Sequence, residues 1–444
     1  MWYPNLAVLL ALPFASSSVL NALIPLPVTE AASNLYCETL ASEFPGRLHY
    51  KEANTNFTIW DQKQLQTIYV CRVEPISAKE VSRALQVLVV GGVTNDLGLM
   101  NTTVVSDDAS PLALAAEPSM RAVFAALDPY GLASVAGRVG QVGMGGFTLG
   151  GGTSVLSAKQ GWALDSVLDY EDCAAELNDC NNLYYALRGG GNNFGIVTSF
   201  VMTVFPQGPV YTGSRTFDDD QTDRFLEDAE RIFTLEDAED TNIGLEYRYA
   251  YSAEHNRYTM SSTQRYSEHV LNPPVFNALN AIPALSNLTG GINSLANSKA
   301  FSGPLGQTRN IFASLTHYPS VELGKQTIGI FKKNVQLLGN SSAAHPELIT
   351  YSIPAVAIER TKLRGGNALG IDVEGHLVVN LLSAAETLNV SHPYIYINYA
   401  NKGQDVFSGY GEGNRQRLIA IQTDIDPLGI FTSSGLWRGF FKVP

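Results

Sequence analysis

Behind Ser77 the apolar residues Val81, Ala84, Leu85 and Leu88 recur at helical spacing and fall on one face. Ser77-Ala-Lys-Glu80 has the form of a capping box, so a helix is predicted to open near Ala78 and bury that face. A second helix is predicted from Arg121 to Leu127, closed by Pro129 and Gly131. The run IVTSFVMTVF, Ile196 to Phe205, is β-branched and aromatic with no helical stripe, and predicts a strand. Pro206-Gln-Gly-Pro209 then breaks the chain and marks a domain boundary. Beyond it, Leu245 to Tyr251 and His376 to Leu381 alternate in the manner of antiparallel strands. Residues 273–310 are rich in Pro, Asn, Ser and Gly and read as loop with short helices. No internal repeat or low-complexity tract interrupts this order.

Composition narrows the class. The 444 residues suffice for two domains of ordinary size, and 45% apolar with 16% charged residues describes a globular chain. A net charge of −13 argues against nucleic-acid binding, which needs a basic face. The first 22 residues hold an apolar core, Leu6 to Phe14, followed by small residues; they fit a signal peptide without the usual basic start. That core is too short to span a membrane, and no later segment is long and apolar enough. Five N-x-[ST] sequons, at Asn56, Asn101, Asn287, Asn340 and Asn389, combine with the leader to predict a secreted or lumenal glycoprotein. The even count of cysteines, Cys37, Cys71, Cys173 and Cys180, suits an oxidising compartment. Cys173 and Cys180 could bridge a short loop; their spacing matches no zinc pattern.

The candidate chemistry lies in two glycine-dense loops, GRVGQVGMGGFTLGGG at 137–152 and YALRGGGNNFGIVTS at 185–199. Glycine is selected where the backbone needs positive φ or must pass close to a ligand. Consecutive free N–H groups in such a loop suit a pyrophosphate. Neither loop is a G-x-G-x-x-G fingerprint, since Thr148 and Phe194 occupy the sixth positions counted from Gly143 and Gly189. No P-loop, G-x-S-x-G elbow or H-E-x-x-H motif occurs, and seven scattered histidines form no metal cluster.

The stretches GQVGMGGFTLGGGTSVLSAKQGWALDSV and YALRGGGNNFGIVTSF resemble the FAD-binding domain of the berberine-bridge-enzyme-like flavin oxidases of the vanillyl-alcohol-oxidase superfamily. The segment YIYINYANKGQDVFSGYGEGNRQRLIAIQTDIDPLGIF resembles the closing segment of that family, and the likeness runs from about Cys37 to Phe431. The resemblance implies an α+β, two-domain, PCMH-type FAD-binding fold: a bipartite FAD domain plus a substrate domain with an antiparallel sheet and helices. Applied here, it puts an internally truncated FAD domain at 35–206, the substrate domain at 207–395, and a return to the FAD domain at 396–444. It implies FAD held mainly by backbone, with Gly143, Gly145, Gly146, Gly150, Gly151 and Gly152 against the pyrophosphate and ring. Gly190, Gly191, Asn193, Gly195, Ile196 and Val197 would line the rest of the cofactor. It also implies a Cys37–Cys71 disulfide.

Tyr396-Ile397-Asn398-Tyr399 matches the Y-x-N-Y motif of the family, which makes Tyr396 and Asn398 the catalytic candidates. There a tyrosine can face the flavin and take the proton of the substrate, a role that needs its pKa, ordinarily near 10, to be lowered. Glu359 and Tyr249 are weaker acid–base candidates. The implied activity is oxidation of a small organic molecule in specialised metabolism by a monomer, with hydride passing to flavin and electrons to O₂.

The chain departs from the family at the flavin tether. In relatives the helix after the capping box leads into a strand and a loop ending Gly-Gly-His, whose histidine bonds the flavin; here ALQVLVV runs straight into GGVTNDLGLMN. His49 and His255 are consecutive histidines, and the position of the second tethering residue, a cysteine in bicovalent relatives, is Val139. Any bound FAD is therefore expected to be non-covalent. The glycine-containing turn before the second helix is replaced by LAAEPSMR, and the hairpin after Glu171 is shortened to DCAAELNDC. Losing a strand and a phosphate loop would open the pocket. Two readings stay beside the oxidase: a flavin-free or non-redox descendant that binds or cyclises its ligand, and a translation that has lost an exon after Val90.

Overall fold

A computed structural model describes residues 30–50, 70–87, 93–106, 112–170, 173–174, 181–235, 240–288, 290–298, 311–337, 345–362, 365–371, 377–380, 391–401, 403–427, 429, 431–432 and 442–443. The leader, Asn56, Asn340, Asn389 and Cys180 lie outside the described residues.

The first unit comprises α1 (Glu30–Glu43), β1 (Leu48–Tyr50), β2 (Cys71–Val73), α2 (Ala78–Val87) and β3 (Val93–Asn95). Helix α2 opens where the capping box places it: Ser77 Oγ accepts from Glu80 N at 3.3 Å. The Glu80 carboxylate reaches one residue further back, to Ile76 N at 2.9 Å, and also takes Arg47 Nη2 at 2.7 Å. Ala78, Val81, Ala84 and Val87 are buried on one face, as the periodicity requires. β1 pairs antiparallel with β2, and β3 pairs parallel with β2, Cys71 opposite Val93. A strand therefore does follow α2, built from the VTN of GGVTNDLGLMN. Leu40, Phe44, Val73, Ala84 and Val87 pack between the helices and this sheet. Cys37 Sγ is bonded to Cys71 Sγ across α1 and β2, with Cα atoms 6.0 Å apart.

The second unit comprises β4 (Thr103–Val105), β5 (Leu112–Ala115), α3 (Met120–Leu127), α4 (Met144–Leu149), β6 (Val167–Tyr170), β7 (Cys173–Ala174), α5 (Asn181–Leu187) and β8 (Ser199–Met202). Its antiparallel sheet runs β4-β5-β8-β6-β7 among the described residues. Ser119 caps α3 by accepting from Ala122 N, and the helix tightens through Asp128–Tyr130 before Gly131 ends it at φ 64°. The strand predicted from Ile196 begins only at Ser199, because its partner β5 is four residues long and the ladder ends at Ala115 opposite Ser199. Ile196 instead packs on Val81, Met100 and Ala116, joining the two units.

After Pro206–Pro209 comes a different sheet. Its strands are β9 (Val210–Asp218), β10 (Ile243–Ser252), β11 (Arg257–Tyr266), β12 (Ser286–Leu288), β13 (Ile292–Asn293), β14 (Leu315–His317), β15 (Glu347–Ile353), β16 (Leu377–Asn380) and β17 (Ser391–His392). Described pairings give the order β12-β9-β11-β10-β15-β16-β14-β17, with β13 also on β9. β12 and β13 lie within the stretch read as loop; they supply hydrogen-bond partners to the otherwise open edge of β9. Helices α6 (Thr222–Phe233) and α7 (Val321–Leu337) cover one face, burying Phe217, Phe225, Tyr247, Tyr249, Met260 and Phe331. Alternation turns Glu246, Arg265 and Tyr351 to the other face. Tyr351 and Ile353 there join the core of the second unit, as do Tyr394, Tyr396 and Tyr410 from the closing segment. That segment ends in α8 (Glu412–Ile425), which packs on α5.

Candidate functional site

The two glycine loops meet each other. Gly189 N and Gly191 N both donate to Leu149 O at 3.1 Å, and Ala163 N and Leu164 N bond Gly152 O and Gly151 O. Close approach explains several of the glycines. A Cβ at Gly150 would lie 2.1 Å from Asn398 Oδ1, and one at Gly151, whose φ is +115°, would lie 2.8 Å from the Trp162 ring. A Cβ on Gly145 would strike Ala116 O at 2.7 Å, and one on Gly190 would strike Phe194 at 2.4 Å. Beside Gly146 and Gly195, by contrast, no atom of the other described residues stands within 4 Å of a Cβ. The open backbone of the cradle is therefore narrower than the motif implies: much of it is filled by the protein itself.

Glu117, from the turn that departs from the family, stands over this cradle. Its Oε2 would be 2.2 Å from a Cβ on Gly143. The residue is exposed, yet partial desolvation of its carboxyl with the nearby Asp96 pushes the pKa up to about 6. Asn193 does not open onto the cradle: its Nδ2 donates to Gly190 O and its Oδ1 accepts from Val443 N. Ile196 and Val197 are half-buried apolar packing.

Tyr396 and Asn398 are brought together on the first loop. Tyr396 Oη accepts from Thr153 N at 3.2 Å and from Asn398 Nδ2 at 2.9 Å, while Asn398 Nδ2 also reaches Phe147 O at 3.1 Å. The motif thus fastens the closing segment to the glycine loop. Tyr396 is 1% exposed, set edge-on to Trp162 and Tyr399. Burial raises its pKa, with Tyr399 adding to the effect and the Thr153 and Asn398 hydrogen bonds only partly opposing it. The phenol stays protonated at neutral pH, so this arrangement does not supply the lowered pKa that a base role requires.

The weaker candidates stand apart. Glu359 lies exposed on the helix Ala355–Thr361, paired to Lys362 at 3.0 Å. Tyr249 faces the helices, donating to Asp219 Oδ1 at 2.5 Å and stacking on Tyr258.

Sequence reasoning missed a charged cleft beside Tyr396. It opens to solvent between Thr153–Val155, Ser157, Ala158, Trp162 and the inner face of β10, β11 and β15. Arg138 crosses it: Nη1 pairs with Glu246 at 3.1 Å, Nη2 donates to Tyr399 Oη at 3.0 Å, and the guanidinium stacks 3.9 Å from the Tyr351 ring centre. Burial works to raise the pKa of Glu246, but Arg138, Arg265 and Arg248 outweigh it and hold the carboxyl below its ordinary range. Burial pulls Arg265 down to about 10 against the attraction of Glu246. The available signal was the alternation in LEYRYAY, where Glu246 and Arg248 put charge on the face opposite Leu245, Tyr247 and Tyr249; sequence spacing does not show that Arg138 meets them. Among the described residues no group of three His, Cys, Asp or Glu is placed to hold a metal.

No protein-family model matches the chain. It is 28% identical over 465 aligned positions to the FAD-dependent monooxygenase sdcF of Emericella nidulans, covering 90% of this chain and 95% of that one. It is 27% identical to the FAD-dependent monooxygenase tpcD of Cochliobolus heterostrophus, over 77% of this chain and 75% of that one. Among solved structures, 6-hydroxy-D-nicotine oxidase of Arthrobacter nicotinovorans superposes with a TM-score of 0.70 at 18% identity, over 89% and 98% of the two chains. The BBE-like 1 protein of Physcomitrella patens gives 0.69 at 16% identity, over 92% and 99%. The chain is thus similar in sequence to FAD-dependent monooxygenases and shares the fold of the vanillyl-alcohol-oxidase and berberine-bridge-enzyme-like FAD-binding oxidoreductases.

The relatives sdcF and tpcD are FAD-dependent, and the residues present here fit a flavin held by contacts. Gly146 and Gly195 leave backbone uncovered, and the buried Trp162 Nε1 and Thr148 Oγ1 have no hydrogen-bond partner among the described residues. The misfit is local: the Glu117 carboxylate beside Gly143 opposes a phosphate there.

Proposed function

We propose that the chain is an FAD-dependent oxidoreductase that oxidises a small organic molecule in specialised metabolism, with FAD bound non-covalently and O₂ as electron acceptor. The observation that carries this reading is the pair of interlocked glycine loops fastened by Tyr396 and Asn398 beside a cleft. When bound, FAD supplies the two-electron redox chemistry. The residues of the chain position and enclose: Gly146 and Gly195 offer backbone, Trp162 and Thr153 separate the loops from the cleft, and the Tyr396 phenol is held as a fixed neutral dipole. The division of labour follows the boundaries expected from the sequence, with 35–206 and 396–444 holding cofactor and 207–395 shaping the substrate side.

Absorbance in the flavin bands after FAD soaking and desalting tests the reading; a colourless protein would count against it. Acid precipitation should release all the colour, since neither a histidine nor a cysteine stands at the tethering positions. Flavin fluorescence remaining with the denatured band would reveal another covalent site.

Secretion of a monomeric glycoprotein is part of the same proposal; the exposure of Asn101 and Asn287 supports it. Among the described residues no helix is long and apolar enough to cross a membrane. Glycosidase-sensitive mass from a secreting host would support this address, and an unmodified intracellular product would not.

The non-redox reading draws on Glu117 over the cradle and on the missing tether. Turnover under strict anaerobiosis without added oxidant would favour it. A transcript reading continuously from Val90 into Gly91 would eliminate the lost-exon explanation.

A further inference from the structure

Among the described residues the cleft holds more positive charge than its carboxylates neutralise. Four charged side chains meet on the inner face of the sheet: Glu246, Arg138, Arg248 and Arg265. Glu246 pairs with Arg138 at 3.1 Å and with Arg248 at 3.1 Å, and Arg248 also meets Glu347 at 3.5 Å. Two carboxylates therefore account for two of the arginines. The Arg265 side chain has neither a hydrogen bond nor an ion pair within 4 Å among the described residues, and its Nε is a buried donor without a partner. The residue is 7% exposed.

Long charged side chains are rarely buried without a partner, because desolvation is then uncompensated. Register fixes which way Arg265 faces. It stands opposite Gly244 on β10 and Thr212 on β9, on the cleft face shared with Glu246 and Tyr351. Gly244 has no side chain to cover it; a Cβ there would lie 3.4 Å from Arg265 Cβ and 3.8 Å from Val155 O. Arg265 lines both the main cleft and a smaller cavity bounded by Val155, Thr212, Ser267 and Ser298. Other surroundings of the cleft are apolar or neutral: Ile243, Leu245, Trp162, Ile353 and Pro354.

We propose that Arg265 is the anchor of a substrate subsite for an anionic oxygen, a carboxylate or ionised phenol carried on an otherwise apolar molecule. A guanidinium matches such a group through parallel N–H···O bonds. Arg138 is already committed to Glu246, Tyr399 and Tyr351 and sets the far wall. This rests on the oxidoreductase reading only in calling the ligand a substrate; the binding itself does not require flavin.

The test is thermal shift of the purified full chain with benzoate and with its neutral counterpart benzamide, each with and without saturating FAD. Benzoate should raise Tm and benzamide should not. Arg265→Met should fold, because Arg138 and Arg248 still pair with Glu246, and should bind benzoate at least about tenfold more weakly. Should Arg265→Met not fold, Arg265→Lys keeps the charge without the fork and should retain a weakened benzoate response. Equal responses to benzoate and benzamide, or an undiminished benzoate response in Arg265→Met, would overturn the subsite. Loss of the benzoate response on FAD saturation would also overturn it, by giving the cation to the cofactor. Flavin retention, read separately by absorbance, decides the oxidoreductase reading, so the two can fail independently.

Discussion

Two glutamates are buried on opposite faces of the large sheet, and their surroundings move them in opposite directions. Glu230, on α6, sits on the helix-covered face, 7% exposed, with Oε2 unpaired. Burial pushes its pKa up to about 7, and a backbone hydrogen bond from Ser320 opposes this only partly. Glu246 is 4% exposed on the cleft face, yet its pKa is held down, because three arginines outweigh the burial. Burial alone thus neutralises a carboxyl, whereas burial among cations keeps it charged. The first face is built as core and the second as a place where charge is kept, which is what a polar ligand site needs.

The strongest way to break this contrast is to remove the charge that holds the arginines. Glu246→Ala should destabilise the fold by about 3–5 kcal/mol, since it leaves buried cations uncompensated. Chemical denaturation at pH 7 measures it, and a loss below about 1 kcal/mol would mean that solvent reaches the cluster. The pH dependence has a definite sign. With the folded pKa of Glu246 below the unfolded one, its contribution is fully present above the unfolded value and fades as pH falls through the folded value.

Glu230 should behave in reverse. Its folded pKa, about 7, lies above the ordinary glutamate value of 4.5, so stability falls as pH rises from 4.5 through 7. Glu230→Gln should therefore stabilise the protein at pH 8 by up to ~3 kcal/mol, the free-energy equivalent of the gap between the two pKa values, with little change near the lower one. A gain independent of pH would refute the burial account.

Tyr396→Phe removes the acceptor shared by Thr153 N and Asn398 Nδ2. It should cost about 1–3 kcal/mol and loosen FAD, read by fluorescence titration of the released flavin. If stability falls while activity and its pH profile persist, the phenol is a fastener only. The smallest effect belongs to Glu359, which is exposed and pairs with Lys362, a neighbour at the end of its own helix. Glu359→Ala should change stability by no more than about 0.5 kcal/mol and leave turnover alone.

What could be read along the chain was local. The capping box before Ala78, the stripe of Val81 and Ala84, the stop at Gly131 and the alternation of Leu245 to Tyr251 are short-range patterns, and each produced its element. Ile196 to Phe205 was legible as apolar but not as a ladder of given length, because the length was set by β5, some eighty residues earlier. The glycine motifs carried the resemblance to flavin oxidases and, through it, the cofactor class.

The strongly patterned helices and strands, the glycine loops, the lack of a tethering histidine between His49 and His255, and the Y-x-N-Y segment follow from the order of residues. What those loops face was settled by folding. Asn398 filling the space beside Gly150, Glu117 standing over Gly143, and Arg138 reaching Glu246 join residues more than twenty, and in two cases more than a hundred, positions apart. Charge balance and desolvation depend on neighbours in space, not along the chain. A buried arginine without a partner therefore becomes visible only once the sheet has brought Gly244 and Arg265 side by side.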